Sequence, residues 1–224
     1  MKTVVVSVGG SVVLSEDANV DFLRRLTTLL KNVGKHYRLF VIVGGGFIAR
    51  RYIQLGRELG FDEDTLDLLG IDVTRVNARI MTNLLGVSNK EIPHTTDEAL
   101  RLTHPIVVMG GTEPKHSTDT VGAELAEKTR AVRFVNATNV DGIYDKDPKK
   151  FKDAKQLKEV SIDELIARYG TTWGSAGKNI FMDNPALAII KRSRIPTFIV
   201  NGKRLDQLEN AMLGQPFDGT TILV

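Results

Sequence analysis

Apolar residues fall along this chain in two alternating rhythms. Residues 2–8 hold the unbroken run Val4-Val5-Val6-Ser7-Val8, which suits a strand buried on both faces. From Asp21 to Val33 the apolar positions are Phe22, Leu23, Leu26, Leu29, Leu30 and Val33, with Arg24, Arg25 and Lys31 on the other side. That is the spacing of an amphipathic helix. Gly34 ends it, and Leu39–Val43 supplies the next strand. This strand runs into Gly44-Gly45-Gly46, and a helical pattern from Phe47 to Leu59 follows at once. Strand, helix, strand, glycine turn and helix in this order open a parallel sheet.

The alternation continues to the end. A long helix is predicted over Glu63–Leu85, entered at Asp62, with Leu66, Leu69, Val73, Val76, Ile80 and Leu84 on its apolar face. Gly70 inside it costs ~1 kcal/mol against alanine, and marks either a break or a close approach. Thr95-Thr96-Asp97 leads a short helix, and Pro105–Met109 is a strand ending at Gly110-Gly111-Thr112. After the polar loop Thr112–Asp119 come a helix over Thr120–Lys128 and a strand over Val132–Val135. Asn136–Tyr144 reads as a loop, and Asp145–Lys150 as a charged turn in which Pro148 disfavours helix before it. Ser161 and Glu164 have the order of a capping box for a helix through Tyr169. Thr171–Asn179 is rich in Gly, Ser and Thr. A helix over Ala186–Arg192, a strand over Thr197–Val200, a helix over Leu205–Leu213 and a strand over Thr220–Val224 complete an α/β pattern.

Composition narrows the class. The chain has 224 residues, 42% of them hydrophobic and 25% charged, as in ordinary globular proteins. It has no cysteine, which removes disulfides and thiolate metal sites. The apolar run before the first glycine pair is too short for a signal-peptide core or a membrane span, so a cytoplasmic protein is expected. Net charge is +3 and the sequence pI about 9.1, with the densest basic group at Lys146, Lys149, Lys150, Lys152 and Lys155. Neither an interleaved aromatic motif nor a zinc pattern accompanies it, so a solvated surface, not nucleic acid, is the expectation.

Three strands end in glycine-rich turns, after Val8, Val43 and Met109. Glycines admit an anion without a Cβ in the way, and a helix N-terminus adds free N–H groups. Ligands gather at the carboxyl ends of parallel strands, so three such turns imply several phosphates. None has Walker order, and there is no G-x-G-x-x-G after a strand. Arg50 follows the triplet by about one helical turn, suited to grip a phosphate. Thr112, Ser117, Thr118, Lys115 and His116 offer donors for a phosphate, sugar or base, and Asp67 an acceptor for ribose hydroxyls. His36, His94 and His104 are scattered, and Asp141, Asp145 and Asp147 lack calcium-loop order, so no metal site is expected.

Taken together, Ser7-Val8-Gly9-Gly10-Ser11, Val43-Gly44-Gly45-Gly46-x-x-Ala49-Arg50, Met109-Gly110-Gly111-Thr112 and Thr138-Asn139-Val140-Asp141-Gly142-Ile143-Tyr144 resemble the amino-acid kinase superfamily. The order, with Asp67–Ile71, Thr74-Arg75-x-Asn77-Ala78 and Asp145-x-Asp147-Pro148-Lys149, is most similar to the archaeal-type UMP kinases, nearly end to end. The resemblance implies a three-layer αβα sandwich with a mainly parallel central sheet. It also implies one domain over residues 1–224, with an acceptor lobe to about 130 and an ATP lobe from about 131. The implied reaction moves the ATP γ-phosphate to UMP, with Mg²⁺ carried by the nucleotide, in a homohexamer. By position, Gly9, Gly10 and Ser11 would contact ATP phosphates, Gly46 and Arg50 would lie on the ATP side, and Thr138, Asn139, Tyr144 and Asp147 would line the adenosine site. Gly45, Asp67 and the loop Thr112, Glu113, Pro114, Lys115, His116, Ser117 and Thr118 would hold UMP.

Two departures from the family's pattern stand out. A lysine common on the first strand is Ser7 here, and the lysine of the helix after Asp183 is Ala188. Lys191 lies about one turn further on. Arg50, Gly10 and Lys191 are therefore the catalytic candidates, with the source of positive charge open between Lys191, Lys178 and Arg50. Rival readings are another phosphate-acceptor kinase of this fold, or a nucleotide-binding storage or regulatory protein of the same descent.

Overall fold

Strand β1 (Thr3–Val8) has five of its six residues fully buried, because it is paired on both edges and covered on both faces. The computed structural model describes residues 1–14, 19–146, 148, 150–170 and 182–224. After β1 come a single turn α1 (Gly10–Val13), helix α2 (Val20–Gly34) capped by Asn19, and β2 (Arg38–Val43). Helices α3 (Gly46–Glu58), α4 (Glu63–Leu85) and α5 (Thr96–Arg101) follow, then β3 (Ile106–Met109) and α6 (Thr118–Thr129). The second half holds β4 (Arg133–Thr138), β5 (Ile143–Tyr144), β6 (Gln156–Leu157), β7 (Glu159–Ser161) and α7 (Ile162–Tyr169). It closes with α8 (Asn184–Ser193), β8 (Thr197–Asn201), α9 (Leu205–Leu213) and β9 (Gly219–Leu223).

Seven strands form one sheet in the order β3-β2-β1-β4-β8-β9-β7. All neighbours are parallel except β8 and β9. Alternate strand residues feed two cores, which makes the sandwich three-layered. Val4, Val6, Val8, Leu39, Val41 and Val43 pack with α2, α4 and α9, whereas Val5, Phe40 and Ile42 pack with α6, α7 and α8. The chain leaves β1 toward β2 and β3 on one side, then returns to β4 on the other. That reversal makes a crevice at the carboxyl ends of β1 and β4. A separate two-stranded hairpin, β5 with β6, stands beside it.

Most predicted elements appear within two residues of their expected ends. Helix α4 is unbroken at Gly70, whose missing side chain lets Ile53 approach from α3. Helix α6 begins two residues before Thr120, because the Ser117 hydroxyl accepts from the Asp119 and Thr120 amides and turns the chain early. Strand β4 runs on to Thr138, so Asn136 belongs to the sheet instead of a loop. At α7 the Ser161 hydroxyl accepts from the Asp163 amide, nearer than the predicted box geometry. The Thr171–Asn179 stretch lies outside the described residues. Among the described residues, no helix is long and apolar enough to cross a membrane.

Candidate active site

The crevice is a cleft of about 910 Å³, and its floor is backbone. The turn after β1 and the turn after β2 touch there without side chains between them. A Cβ on Gly10 would overlap the Gly46 amide, and Gly46 itself has φ +67°. Only glycine tolerates both conditions. The second turn is tied to α4, where the buried Asn77 amide donates to the carbonyls of Gly44 (2.8 Å) and Gly45 (3.2 Å). The third turn serves differently. Gly110 presses against Thr74 and Arg75 of α4, and the Gly111 amide donates to the Thr74 hydroxyl at 2.7 Å. Gly111 still lines the cleft, but the role of this glycine pair is close packing on a helix.

Arg50 is exposed on α3 and lines the cleft. No carboxylate among the described residues pairs with it, so its guanidinium is available to an anion. Gly9, Gly10, Ser11, Gly45 and Gly46 line the same cleft. On one side stand Asp67, His116, Ser117 and Thr118; on the other, Thr138, Asn139 and Tyr144. The fold thus brings thirteen-odd expected residues, from six separate stretches, around one space.

The loop Thr112–Thr118 is held from α4 at two points. Arg75 donates to the Thr112 carbonyl at 3.0 Å, and Asp67 accepts the Lys115 amide at 2.8 Å. Burial pushes the Asp67 carboxyl up from its ordinary value, against the pull of that amide. Lys115 also reaches Asp64 at 3.2 Å and takes φ +67°. Glu113 lies 3.0 Å from His116 Nδ1, though poorly aligned for a hydrogen bond. Thr112, Glu113, Pro114 and Lys115 do not line the cleft; they shape the loop that presents His116, Ser117 and Thr118.

On the opposite side the hairpin is pinned to the main sheet. The Ile143 amide donates to the Thr220 hydroxyl at 2.9 Å, and Asn201 donates to Asp141 at 2.9 Å. This holds Tyr144 at the cleft, with its phenol pushed up from its ordinary value by burial. Asp147 and Lys178 lie outside the described residues.

Lys191 stands apart from the other expected residues. Its ammonium is 2.6 Å from Asp163 of α7, and it does not line the cleft. Asp183 occupies the N-cap position of α8, and Lys191 stands in the last turn, roughly 12 Å along the axis at 1.5 Å per residue.

A buried polar group beneath the cleft is not evident from local sequence. Ser7, fully buried on β1, donates to Asp119 Oδ1 at 2.9 Å. Asn136 of β4 also bonds Asp119, and Asp119 lines the cleft. Behind it, Asp183 is 1% exposed and accepts the Thr120 hydroxyl at 2.6 Å. Burial, then repulsion from Asp183, pushes the Asp119 carboxyl up to about 7. Burial likewise raises Asp183, more than the hydrogen bonds from Thr120 and Ser117 lower it. The available signal is indirect: a serine inside a valine strand, and an asparagine at a strand end.

Chemically, the cleft offers side-chain-free backbone, a guanidinium with no carboxylate partner among the described residues, and hydroxyl-bearing walls on both sides. It fits two phosphorylated ligands meeting at the glycine junction. The model of the amino acid kinase family matches residues 2–201 of this chain. The chain is 43% identical over 223 residues to the uridylate kinase of Methanobrevibacter smithii, covering 98% of each. It is 44% identical over 223 residues to the uridylate kinase of Methanothermobacter thermautotrophicus, again covering 98% of each. The crystal structure of the uridylate kinase from Archaeoglobus fulgidus superposes with a TM-score of 0.87 at 38% identity, covering 99% of this chain and 100% of that one.

Proposed function

Because the chain belongs to the amino acid kinase family, we propose that it transfers the γ-phosphoryl group of ATP to UMP, giving ADP and UDP. A phosphate oxygen of UMP attacks the γ-phosphorus, and the bond to the β,γ-bridging oxygen breaks. Such transfer asks the protein for position and charge, not for a covalent intermediate. The observation that carries this reading is the bare junction of Gly10 with Gly46, beside an Arg50 that no carboxylate among the described residues holds.

In this reading Gly9, Gly10, Ser11 and Gly46 receive the ATP phosphates, and Thr138, Asn139, Tyr144 and Asp147 face the adenosine. Gly45, Asp67, His116, Ser117 and Thr118 hold UMP, while Thr112–Lys115 fix the loop. Arg50 supplies positive charge where the phosphoryl group moves. Mg²⁺ would arrive with the nucleotide and supply further positive charge at its phosphates. The protein acts in the cytoplasm as a homohexamer. The apolar side chains left exposed on α3 and α4, among them Tyr52, Leu55, Leu68 and Val76, support burial against further copies.

Coupled turnover with ATP and a panel of acceptors tests the assignment. ADP release is expected with UMP and not with isopentenyl phosphate or amino acids. ATP binding without any acceptor-dependent turnover would favour a storage or regulatory role instead. Arg50→Ala should lower kcat/KM roughly 10²–10³-fold, the usual loss for one transition-state donor, with thermal unfolding unchanged.

A further inference from the structure

Beyond β4, the wall of the cleft includes two residues that no motif singles out. Arg168 and Tyr169, the last two residues of α7, line it together with Tyr144 of β5. Separate fastenings hold them there. The Arg168 guanidinium donates to the Asp145 carbonyl at 2.9 Å, tying the end of α7 to the residue after Tyr144. Asp145 is also locked across the hairpin: its amide donates to the Lys155 carbonyl at 3.0 Å, and its carboxylate accepts the Lys155 amide at 2.8 Å. From α8, the Asn184 side chain donates to the Tyr169 carbonyl at 2.7 Å. Hairpin, α7 and α8 thus fix one short stretch of wall.

Its distinguishing property is flatness. Arg168 Cζ stands over the Tyr169 ring, 5.9 Å from its centre. Arg168 is exposed and Tyr169 is 37% exposed, so the pair is presented and not packed away. Guanidinium N–H groups bond in the plane of the group, and the tie to Asp145 therefore leaves its faces for stacking. A guanidinium over an aromatic ring, both on the wall of a cleft, suits a third flat ring. A grip on phosphates suits the pair less well. Those belong at the bare glycine junction beside Arg50, on other elements, and a tyrosine ring offers them no charge.

We propose that Arg168 and Tyr169 form the surface on which the base of the donor nucleotide stacks, at the end of the cleft that Tyr144 marks. Arg168 then performs two tasks with one side chain: its in-plane hydrogen bond fixes the hairpin, and its face belongs to the stack. The inference rests on the nucleotide-binding reading of the cleft. Both residues bind the base and take no part in the transfer, so their loss falls on the KM for ATP. The kcat and the KM for UMP stay as they are.

Three measurements on the full chain test it. In calorimetry, Tyr169→Leu and Arg168→Lys should each bind ATP roughly tenfold more weakly, the usual loss for one stacked base. Tyr169→Phe keeps the ring and should bind as the wild type does; a loss equal to that of Tyr169→Leu would overturn the stack. Arg168→Lys keeps a donor for Asp145 but has no flat face, so wild-type affinity there would reduce Arg168 to a tie and overturn its share. The second probe is 2-aminopurine riboside triphosphate, whose fluorescence is quenched when its base stacks. At saturation it should be quenched on the wild type and Tyr169→Phe, and severalfold brighter on Tyr169→Leu. Equal brightness on all three would overturn the proposal whatever the affinities. In steady-state kinetics the KM for UMP should stay within twofold in every variant. A rise equal to that for ATP would mean a loosened cleft, and would overturn it too. A wild type that binds no ATP sinks the reading of the cleft and the stack with it, whereas ATP bound equally well by every variant sinks the stack alone.

Discussion

At the scale of single residues, the site depends on atoms that are missing as much as on those present. Gly10 and Gly46 approach so closely that one methyl group cannot be added without moving a turn. Gly10→Ala should therefore cost ~1–3 kcal/mol through overpacking and lower Tm by several degrees, read by calorimetry, with activity lost beyond the fraction unfolded. Arg50 is legible in the sequence because one turn of helix after three glycines leaves few places for a guanidinium to go. Asp119 is not, since an aspartate in the first turn of a helix behind a serine cap looks like ordinary capping. What makes it unusual is the nearness of Asp183, far along the chain, which no local pattern encodes.

Elements explain the next layer. Helix α4 reaches both the glycine triplet, through Asn77, and the loop Thr112–Thr118, through Asp67 and Arg75. Its regular spacing is easily read, but the carbonyls it would meet are not. Arg75→Leu should loosen Thr112 and raise the KM for UMP roughly tenfold, since a hydrogen bond from a charged donor is worth ~1.5–3 kcal/mol. The KM for ATP should stay within twofold, as steady-state kinetics would show. Helix α8 teaches the opposite lesson. Counting one turn from Ala188 selects Lys191, yet the site lies at the helix's N-terminal end, and a partner on α7 already holds that ammonium. The β5–β6 hairpin escapes periodicity altogether, because two-residue strands carry no rhythm and are fixed by Thr220 and Asn201 from the main sheet.

For the whole molecule, the glycine turns and βα alternation make the α/β class readable before any contact is known. The antiparallel setting of β9 depends on a short connection after α9 that patterning does not resolve. The exposed apolar side chains of α3 and α4 recur at helical spacing, so amphipathic patterning locates them without saying what covers them. Leu55→Glu with Val76→Glu should reduce the mass seen by light scattering if that surface joins copies, and leave the unfolding of the separated chain cooperative.

Strand β1 has a consequence for how the chain is made. It pairs with β2 on one edge soon after synthesis, but its other partner, β4, appears only at Arg133–Thr138. At the usual 5–20 residues per second, that edge of Val4-Val5-Val6 waits for roughly 6–25 s with its backbone groups unpaired. The strand that later anchors both halves of the cleft is, until then, the segment of the nascent chain most exposed to mispairing, and the one a chaperone has most reason to hold.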